Sequence, residues 1–284
     1  MRVLVAGARG MVGQSVAAYF KSQGDEVFAH DRRSLDITDT AAVEACFERE
    51  LPEVVINCAA WTDVDGCEFD HARAYEVNSY APQRLALNSR RVGASFITIS
   101  TDYVFDGAKE GFYTQRDDPN PQSVYAASKL DGERRAQAAA ARTMVVRTGW
   151  VFGVGGRNFL STVIERARRG EDLSAISDAY GTPTYAKDLA ARLRELAELD
   201  LPGLYHVVGS GSGSSFEEFA RVALETARCE RAAVQGVSMD SLSRPAPRPR
   251  NSRLRCLVSA AIGLQPLPHW RNALRDFAAV ESEG

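Results

Sequence analysis

The stretch Arg2-Val3-Leu4-Val5-Ala6-Gly7-Ala8-Arg9-Gly10-Met11-Val12-Gly13 decides the fold. Its apolar start predicts a first β-strand, and the apolar periodicity that follows Gly10 predicts a helix. The glycines between them allow a tight turn, let the backbone approach a pyrophosphate and leave the helix N-terminus free to bind it. The spacing is G-x-x-G-x-x-G, and its place directly after the first strand predicts dinucleotide binding. The predicted contacts in this loop are Gly7, Gly10, Met11, Val12 and Gly13.

Strand and helix signals alternate through the first half of the chain, which predicts parallel βαβ units. The strands are continuous apolar runs such as Val54–Cys58 and Met144–Thr148, as expected when helices cover both faces of a sheet. This pattern predicts an α/β fold with a doubly wound, Rossmann-type parallel sheet in residues 1–150, onto which part of residues 179–200 packs back. Residues 151–284 are expected to form mainly a smaller C-terminal substrate-binding lobe.

Three local signals concern the helices. Residues 72–92 are predicted to form one long helix, and Asp39 is the predicted N-cap of a helix over 40–50. Ser215 and Glu218 are spaced as a capping box at the start of a later helix.

The composition excludes several classes of protein. The 284 residues are 45% hydrophobic and 25% charged with a net charge of -3, so the chain can fold and lacks the basic excess of a nucleic-acid binder. It has no run of about 18 apolar residues that would predict a membrane span. The five cysteines are scattered without a C-x-x-C pair, which argues against a disulfide framework or a metal site and predicts a reducing cytoplasm.

The end of the second predicted strand, His30-Asp31-Arg32-Arg33, bears on the choice of dinucleotide. A carboxylate there hydrogen-bonds the ribose hydroxyls and favours NAD, whereas an arginine accepts a 2′-phosphate and favours NADP. Both are present, so the sequence leaves NADH and NADPH open, and a solvated charged turn is the alternative for the arginines. The candidate cofactor contacts in this region are Asp31, Arg32, Asp36 and Ile37.

Tyr125 and Lys129 begin a predicted helix and are four residues apart, so both side chains lie on one helix face. A free tyrosine has a pKa of about 10, and a nearby cation stabilises the phenolate and lowers that pKa. The lysine can also donate to a ribose. The pattern predicts an acid–base pair, with an ordinary surface pair as the alternative.

The segment Ser100–Gly107, STDYVFDG, follows the fourth predicted strand, where ligands bind in open parallel sheets. The hydroxyl of Thr101 at this position can polarise a carbonyl oxygen and hold it for proton transfer. The glycine loop, this hydroxyl and the Y-x-x-x-K pattern occur together in one order along the chain, which makes the combination specific.

With these residues the chain resembles the extended short-chain dehydrogenase/reductase superfamily and, within it, the dTDP-4-dehydrorhamnose reductase family. The resemblance covers nearly the whole chain, and STDYVFDG is its most distinctive piece. The other segments that carry it are Asn57–Asp65, Tyr125–Glu133, Arg147–Phe152, Gly181–Thr184, Gly203–His206 and Arg248–Ser252. The chain departs from the family at Trp61, Ala179 and Arg255, where members usually carry Tyr, Gln and Asp.

The resemblance implies roles for individual residues. Tyr125 would be the general acid, Lys129 would tune it and anchor the ribose, and Thr101 would polarise the carbonyl. Ala59 and Ala60 would line the cofactor. The implied neighbours of the sugar ring are Thr62, Val64, Asp102, Tyr103 and Trp150, and those of the nucleotide diphosphate are Arg157, Asn158 and Arg248.

The activity implied by the resemblance is the NADPH- or NADH-dependent reduction of the 4-keto group of a nucleotide-linked 6-deoxysugar. The best single substrate is dTDP-4-dehydro-L-rhamnose, which would give dTDP-L-rhamnose for polysaccharide or metabolite synthesis. A reductase for another nucleotide deoxysugar is one alternative. A non-catalytic subunit similar to the regulatory β subunit of methionine adenosyltransferase is another. A homodimer is compatible with the resemblance, and no metal, nucleic-acid or membrane partner is expected.

Overall fold

The computed structural model describes residues 1–156, 158–229 and 232–283. Its main feature is a six-stranded sheet with the strand order β10-β5-β4-β3-β1-β2, in which every neighbouring pair is parallel. The strands are β1 (Arg2–Ala6), β2 (Glu26–His30), β3 (Val54–Asn57), β4 (Ser95–Thr101), β5 (Thr143–Thr148) and β10 (Gly203–His206). The predicted doubly wound parallel sheet is therefore confirmed.

Helices cover both faces of this sheet, because alternate residues of each strand point to opposite sides. Val3 and Val5 join a buried cluster with Leu189 and Leu193, whereas Leu4 belongs to the cluster on the other face. The helices are α1 (Met11–Ser22), α2 (Thr40–Glu50), α3 (Val64–Cys67), α4 (His71–Tyr75), α5 (Ala81–Val92), α6 (Val124–Ala139) and α8 (Ala186–Leu199). α8 packs against α1, so a segment far along the chain covers the first βα unit.

Most of the remaining elements form a smaller lobe around an aromatic core. Its short strands are β6 (Val151–Phe152), β7 (Leu173–Ile176), β8 (Tyr180–Gly181), β9 (Thr184–Tyr185), β11 (Ser214–Ser215) and β12 (Val234–Val237). Its helices are α7 (Phe159–Arg168), α9 (Phe216–Thr226) and α11 (Trp270–Glu283), whereas the short helix α10 (Val258–Ala261) packs its Val258 against the main-sheet cluster that holds Val3 and Val5. Phe152, Phe219, Trp270 and Phe277 are fully buried together and hold these pieces against one another.

A π-turn over Glu76–Tyr80 joins α4 and α5, where the sequence predicts one uninterrupted helix over 72–92. Within this turn the side chain of Asn78 accepts from the backbone N–H of Trp61 at 2.8 Å and donates to the hydroxyl of Ser128 at 3.2 Å. α6 crosses so closely that a Cβ on Gly132 would lie 2.1 Å from the Asn78 carbonyl oxygen. The π-turn thus fixes α6 against the loop that follows β3.

Capping residues set the starts of several helices. Asp39 accepts from the N–H of Ala42, as its predicted N-cap role requires, and Ser123 does the same for α6 by accepting from Ala126. Ser215 accepts from the N–H of Glu218, but the Glu218 carboxylate contacts Ser214 and Arg271 in place of completing the predicted capping box. Within the described ranges, every helix is too short or too polar to cross a bilayer.

Candidate active site

The glycine loop forms a cradle that side chains would fill. Gly7 has a left-handed backbone with φ 78°, and a Cβ there would lie 2.6 Å from the backbone nitrogen of Ala59. A Cβ on Gly13 would lie 2.2 Å from the carbonyl oxygen of Gly7. Gly10, the N-cap of α1, has no side chain to occupy the helix N-terminus. The backbone N–H groups of this helix end therefore remain available, and the cradle fits a dinucleotide pyrophosphate.

A cavity of about 300 Å³ adjoins the loop at the end of β2. Its lining includes Gly7, Gly10, Asp31, Arg32, Asp36, Ile37, Ala59 and Ala60, all predicted cofactor contacts. The Asp31 carboxylate has three partners within the protein. It accepts from the N–H groups of Arg33 and Ser34, and it lies 3.0 Å from Nε of Arg9. Hydrogen bonds from Ser34 are the main cause that holds the pKa of Asp31 below its usual value.

A larger cavity of about 610 Å³ brings the three predicted catalytic residues together on one wall. Thr101, Tyr125 and Lys129 line it alongside Gly10, Met11, Val12 and Gly13 from the glycine loop. The predicted sugar neighbours Thr62, Val64, Asp102, Tyr103 and Trp150 line the same cavity. One cavity therefore joins the dinucleotide cradle to the candidate proton donor, which is the arrangement that hydride transfer to a bound carbonyl compound requires.

Thr101 and Asp102 lie at the C-terminal end of β4. The Thr101 hydroxyl accepts from the N–H of Tyr103 at 3.2 Å and donates to Oδ1 of Asp102 at 3.1 Å. Asp102 is only 3% exposed, and burial raises the pKa of its carboxyl to about 6. A Cβ on Gly149 would lie 2.4 Å from this carboxyl group, so glycine at that position leaves the space that Asp102 occupies.

Tyr125 and Lys129 project from the first turns of α6, as their spacing predicts. Burial raises the pKa of Tyr125, and the Asp102 carboxylate raises it further, while a hydrogen bond with Thr101 acts in the opposite direction. The net shift is thus opposite to the expected lowering by Lys129. Burial also lowers the pKa of Lys129 to about 8, and its Nζ donates to the carbonyl oxygen of Ile99 at 2.7 Å. A phenol in this setting is protonated at neutral pH and is suited to donate a proton.

Trp150 contributes an aromatic ring to the lining of the larger cavity. Its ring stacks on Phe216 with centroids 3.7 Å apart and 18° between the planes. Its backbone has φ 50°, a left-handed conformation that is uncommon for a bulky residue and concentrates at functional sites. A Cβ on Gly181 would lie 2.0 Å from the indole nitrogen, so glycine is needed beneath the ring.

Comparison with known proteins agrees with this geometry. The family model described as the RmlD substrate binding domain matches residues 1–282. The chain belongs to this family. Among its relatives, the dTDP-4-dehydrorhamnose reductase of Mycobacterium tuberculosis strain H37Rv is 41% identical over 98% of this chain and 93% of its own length. The spore coat polysaccharide biosynthesis protein SpsK of Bacillus subtilis is 37% identical over 99% of this chain and 98% of its own length.

A solved structure is similar over almost every residue of the RmlD-family chain. The crystal structure of dTDP-4-dehydrorhamnose reductase from Bacillus anthracis, in complex with NADP, superposes with a TM-score of 0.95. The two chains are 32% identical, and the match covers 99% of each. The predicted membership of the reductase family is therefore confirmed.

Of the three residues predicted to contact the nucleotide diphosphate of this RmlD-family protein, two have other side-chain partners and the third cannot be placed. Arg248 forms a bidentate pair with Asp65, one of its distances being 2.8 Å, and Asn158 caps α7 by accepting from the N–H of Ser161. Neither is among the described residues that line the larger cavity. Arg157 lies outside the described residues. The prediction for Arg248 came from the resemblance and mainly from its charge, and its ion pair with Asp65, 183 positions away, could not be foreseen.

Several residues line the cavities of this RmlD-family site without having been predicted, among them Arg9 and Phe216. Arg9 lines both cavities and pairs with Asp31. Its position between Gly7 and Gly10 was an available signal, because a cation there faces the phosphates. Phe216 lines the larger cavity through its stack on Trp150, and no local pattern marks it.

Proposed function

We propose that the protein reduces the 4-keto group of a dTDP-linked 6-deoxysugar with NADPH or NADH, with dTDP-4-dehydro-L-rhamnose as the best substrate and dTDP-L-rhamnose as the product. The observation that carries the proposal is the single cavity in which Thr101, Tyr125 and Lys129 adjoin the glycine loop. Relatives named dTDP-4-dehydrorhamnose reductase at up to 41% identity support the substrate class.

The mechanism assigns each residue a separate task. When bound, the dinucleotide supplies the hydride that adds to the keto carbon. Thr101 turns its hydroxyl from Asp102 to the keto oxygen and polarises it. Tyr125 then gives its phenolic proton to the alkoxide that forms on the sugar. Lys129 places positive charge on the same wall, where it stabilises the phenolate left behind.

We also propose that the two parts of the chain bind different ligands. Residues 1–150 bind the dinucleotide, and residues 151–284, with part of 179–200 packed back onto the sheet, mainly bind the nucleotide sugar. The contribution of Phe216 and the 151–156 segment to the cavity wall supports the second assignment. A cytoplasmic location is part of the proposal, supported by the five free cysteines. A homodimer stays a prediction, which sedimentation of the purified protein tests.

The decisive experiment is a turnover assay with the purified chain. Adding dTDP-4-dehydro-L-rhamnose should oxidise NADPH or NADH, seen as loss of nicotinamide absorbance, and should yield dTDP-L-rhamnose by chromatography. A panel of other nucleotide keto sugars, each with both cofactors, identifies a sibling reductase if one of them turns over faster. Cofactor binding with no consumption on any sugar would contradict the enzyme and favour the non-catalytic subunit.

Arg9 is expected to discriminate between the two cofactors. Its guanidinium lies 3.0 Å from Asp31 and offsets the charge of that carboxylate, in a pocket whose lining also carries the cation Arg32, which suits a 2′-phosphate. Arg9→Ala should therefore weaken NADP⁺ binding about tenfold and NAD⁺ binding much less. Fluorescence or calorimetric titration of each dinucleotide measures both affinities. Arg91→Ala, which removes an exposed arginine paired with Glu44, is the control, and equal losses for both dinucleotides would refute this role.

A further inference from the structure

A second cavity, outside the candidate active site, surrounds a cysteine. It has a volume of about 300 Å³ and lies beside the end of β10. Cys256, His206 and Ser259 line it together with apolar side chains such as Leu254 and Leu264. Among the residues that the structure describes, it shares no lining residue with the larger cavity. The two cavities are therefore separate sites in the fold.

The Cys256 sulfur is held by hydrogen-bond donors. Gln115 Nε2 lies 2.9 Å from Sγ, and the backbone N–H of Ser259 lies 3.4 Å from it. The amide of Gln115 is oriented for this contact, because its Oε1 accepts from the N–H of Leu257 at 3.0 Å. Burial by itself raises the pKa of the Cys256 thiol, but hydrogen bonds from Ser259, the His206 backbone and Gln115 outweigh it and hold the pKa below its usual value.

Three of the other cysteines have the opposite environment. Cys46, Cys67 and Cys229 each donate their S–H, respectively to the carboxylate of Glu50 and to the carbonyl oxygens of Trp61 and Ala227. These contacts stabilise the thiol, whereas the donors around Cys256 stabilise the thiolate, which is the nucleophile. Cys58 lies in an apolar setting, and burial raises its pKa to about 12.

An unsatisfied polar group shares the cavity with this sulfur. His206 is 2% exposed, yet its Nε2 has no hydrogen-bond partner in the described ranges. His206 Nδ1 donates to the carbonyl oxygen of Arg255 at 3.1 Å, which leaves Nε2 as an acceptor. Burial lowers the pKa of His206 to about 4, so the ring is neutral. Buried polar atoms without partners are rare and mark a place that a further polar atom can fill.

We propose that Cys256 is a modification site that reacts with hydroperoxides to form a sulfenic acid inside this cavity. The thiolate sulfur attacks one peroxide oxygen, the S–O bond forms and the O–O bond breaks, and hydroxide or alkoxide leaves and takes up a proton. The sulfur loses two electrons and the peroxide gains them. Ser259 then donates its hydroxyl hydrogen to the new oxygen, and His206 Nε2 accepts from the S–O–H group.

The test compares the cysteines of one protein under one reagent. The purified full chain is treated with iodoacetamide, and peptide mass spectrometry follows each cysteine. Cys256 should react about tenfold faster than Cys229 at neutral pH, because hydrogen-bond donors contact its sulfur and stabilise the nucleophilic thiolate, whereas Cys229 donates its own S–H. Gln115→Glu keeps the shape and the acceptor for Leu257 but replaces the donor, and should slow Cys256 about tenfold. Gln23→Glu, the same change at an exposed position, is the control and should leave the rate unchanged.

Two further measurements test the proposal even if Gln115→Glu does not fold. In the unsubstituted protein, the alkylation rate of Cys256 should reach half its maximum at a pH below the usual pKa of a cysteine thiol. Substoichiometric hydrogen peroxide with a dimedone probe should label Cys256 in the unsubstituted protein and lose that label in Cys256→Ser. Alkylation of Cys256 no faster than Cys229, an unchanged rate in folded Gln115→Glu, or fast alkylation without a trapped sulfenic acid would overturn the proposal.

Discussion

Tyr125→Phe should lower the turnover number by about 10²–10⁴-fold while NADP⁺ affinity stays nearly unchanged, because the phenolic hydroxyl donates the proton and contributes little to cofactor binding. The ring itself is retained, so its buried contacts with Cys67 and Ala74 persist. Steady-state assays with the keto sugar measure the first quantity, and dinucleotide titration measures the second.

The control for this substitution is Tyr19→Phe. It removes a phenolic hydroxyl from α1, at a residue that lines neither of the two cavities of the candidate active site. Its turnover should match that of the unsubstituted protein. Full activity in Tyr125→Phe would remove this residue from the mechanism. A parallel loss of dinucleotide affinity would show instead that the substitution had disturbed the cofactor site.

Asp102→Asn should make the protein more stable and less active. The carboxyl is buried with its pKa raised from 3.8 to about 6, so keeping it ionised in the folded state costs roughly 2–3 kcal/mol at neutral pH. An amide removes that cost and keeps an oxygen to accept from Thr101. Turnover should fall, since the cavity in which we propose that the sugar binds loses a negative charge. Denaturant unfolding and the keto-sugar assay measure the two effects.

The stability difference between Asp102→Asn and the unsubstituted protein should increase with pH. Below the unfolded pKa near 3.8 the carboxyl is protonated in both states, so the substitution changes little. As pH rises toward about 6, the unfolded chain releases its proton before the folded one, and the unsubstituted protein loses stability relative to Asp102→Asn. The difference should level off above that pH. A difference that shrinks as pH rises would contradict the cause assigned here.

Asp106→Asn provides a contrast four residues away. Hydrogen bonds from the N–H of Ala108 and from Asn120 are the main causes that lower the pKa of Asp106. Its ionised form is therefore favoured by folding, and the amide should lower stability above the unfolded pKa. A gain of stability in Asp102→Asn together with a loss in Asp106→Asn would show that the effect at Asp102 comes from burial of the carboxyl. A general effect of removing negative charge would change the stability in the same direction at both positions.

The sequence predicted best those features that depend on local spacing. The G-x-x-G-x-x-G loop, the Asp39 cap and the shared helix face of Tyr125 and Lys129 each follow from a few neighbouring residues. The π-turn at Glu76–Tyr80 did not follow, because it lies where Gly132 closely approaches Asn78, a contact that only the folded chain creates.

The pKa shifts and ion pairs were the least predictable features, because they also depend on contacts between residues that are distant in the sequence. The spacing of Tyr125 and Lys129 suggested a lowered tyrosine pKa, but burial dominates and raises it. Burial depends on how α6 packs against distant segments, which no local pattern reports. Arg248 looked like a phosphate ligand by its charge, and its pairing with Asp65 joins residues 183 positions apart.

The place of β10 in the main sheet has a consequence for how the chain is made. Its four residues, Gly203–His206, form the edge next to β5, although the whole of β6 to α8 intervenes between the two strands. A nascent chain leaving the ribosome therefore exposes the unpaired backbone of β5 until these residues emerge, and open strand edges invite association with other chains. Stalled or truncated translation products that end before this strand should be aggregation-prone substrates for chaperones.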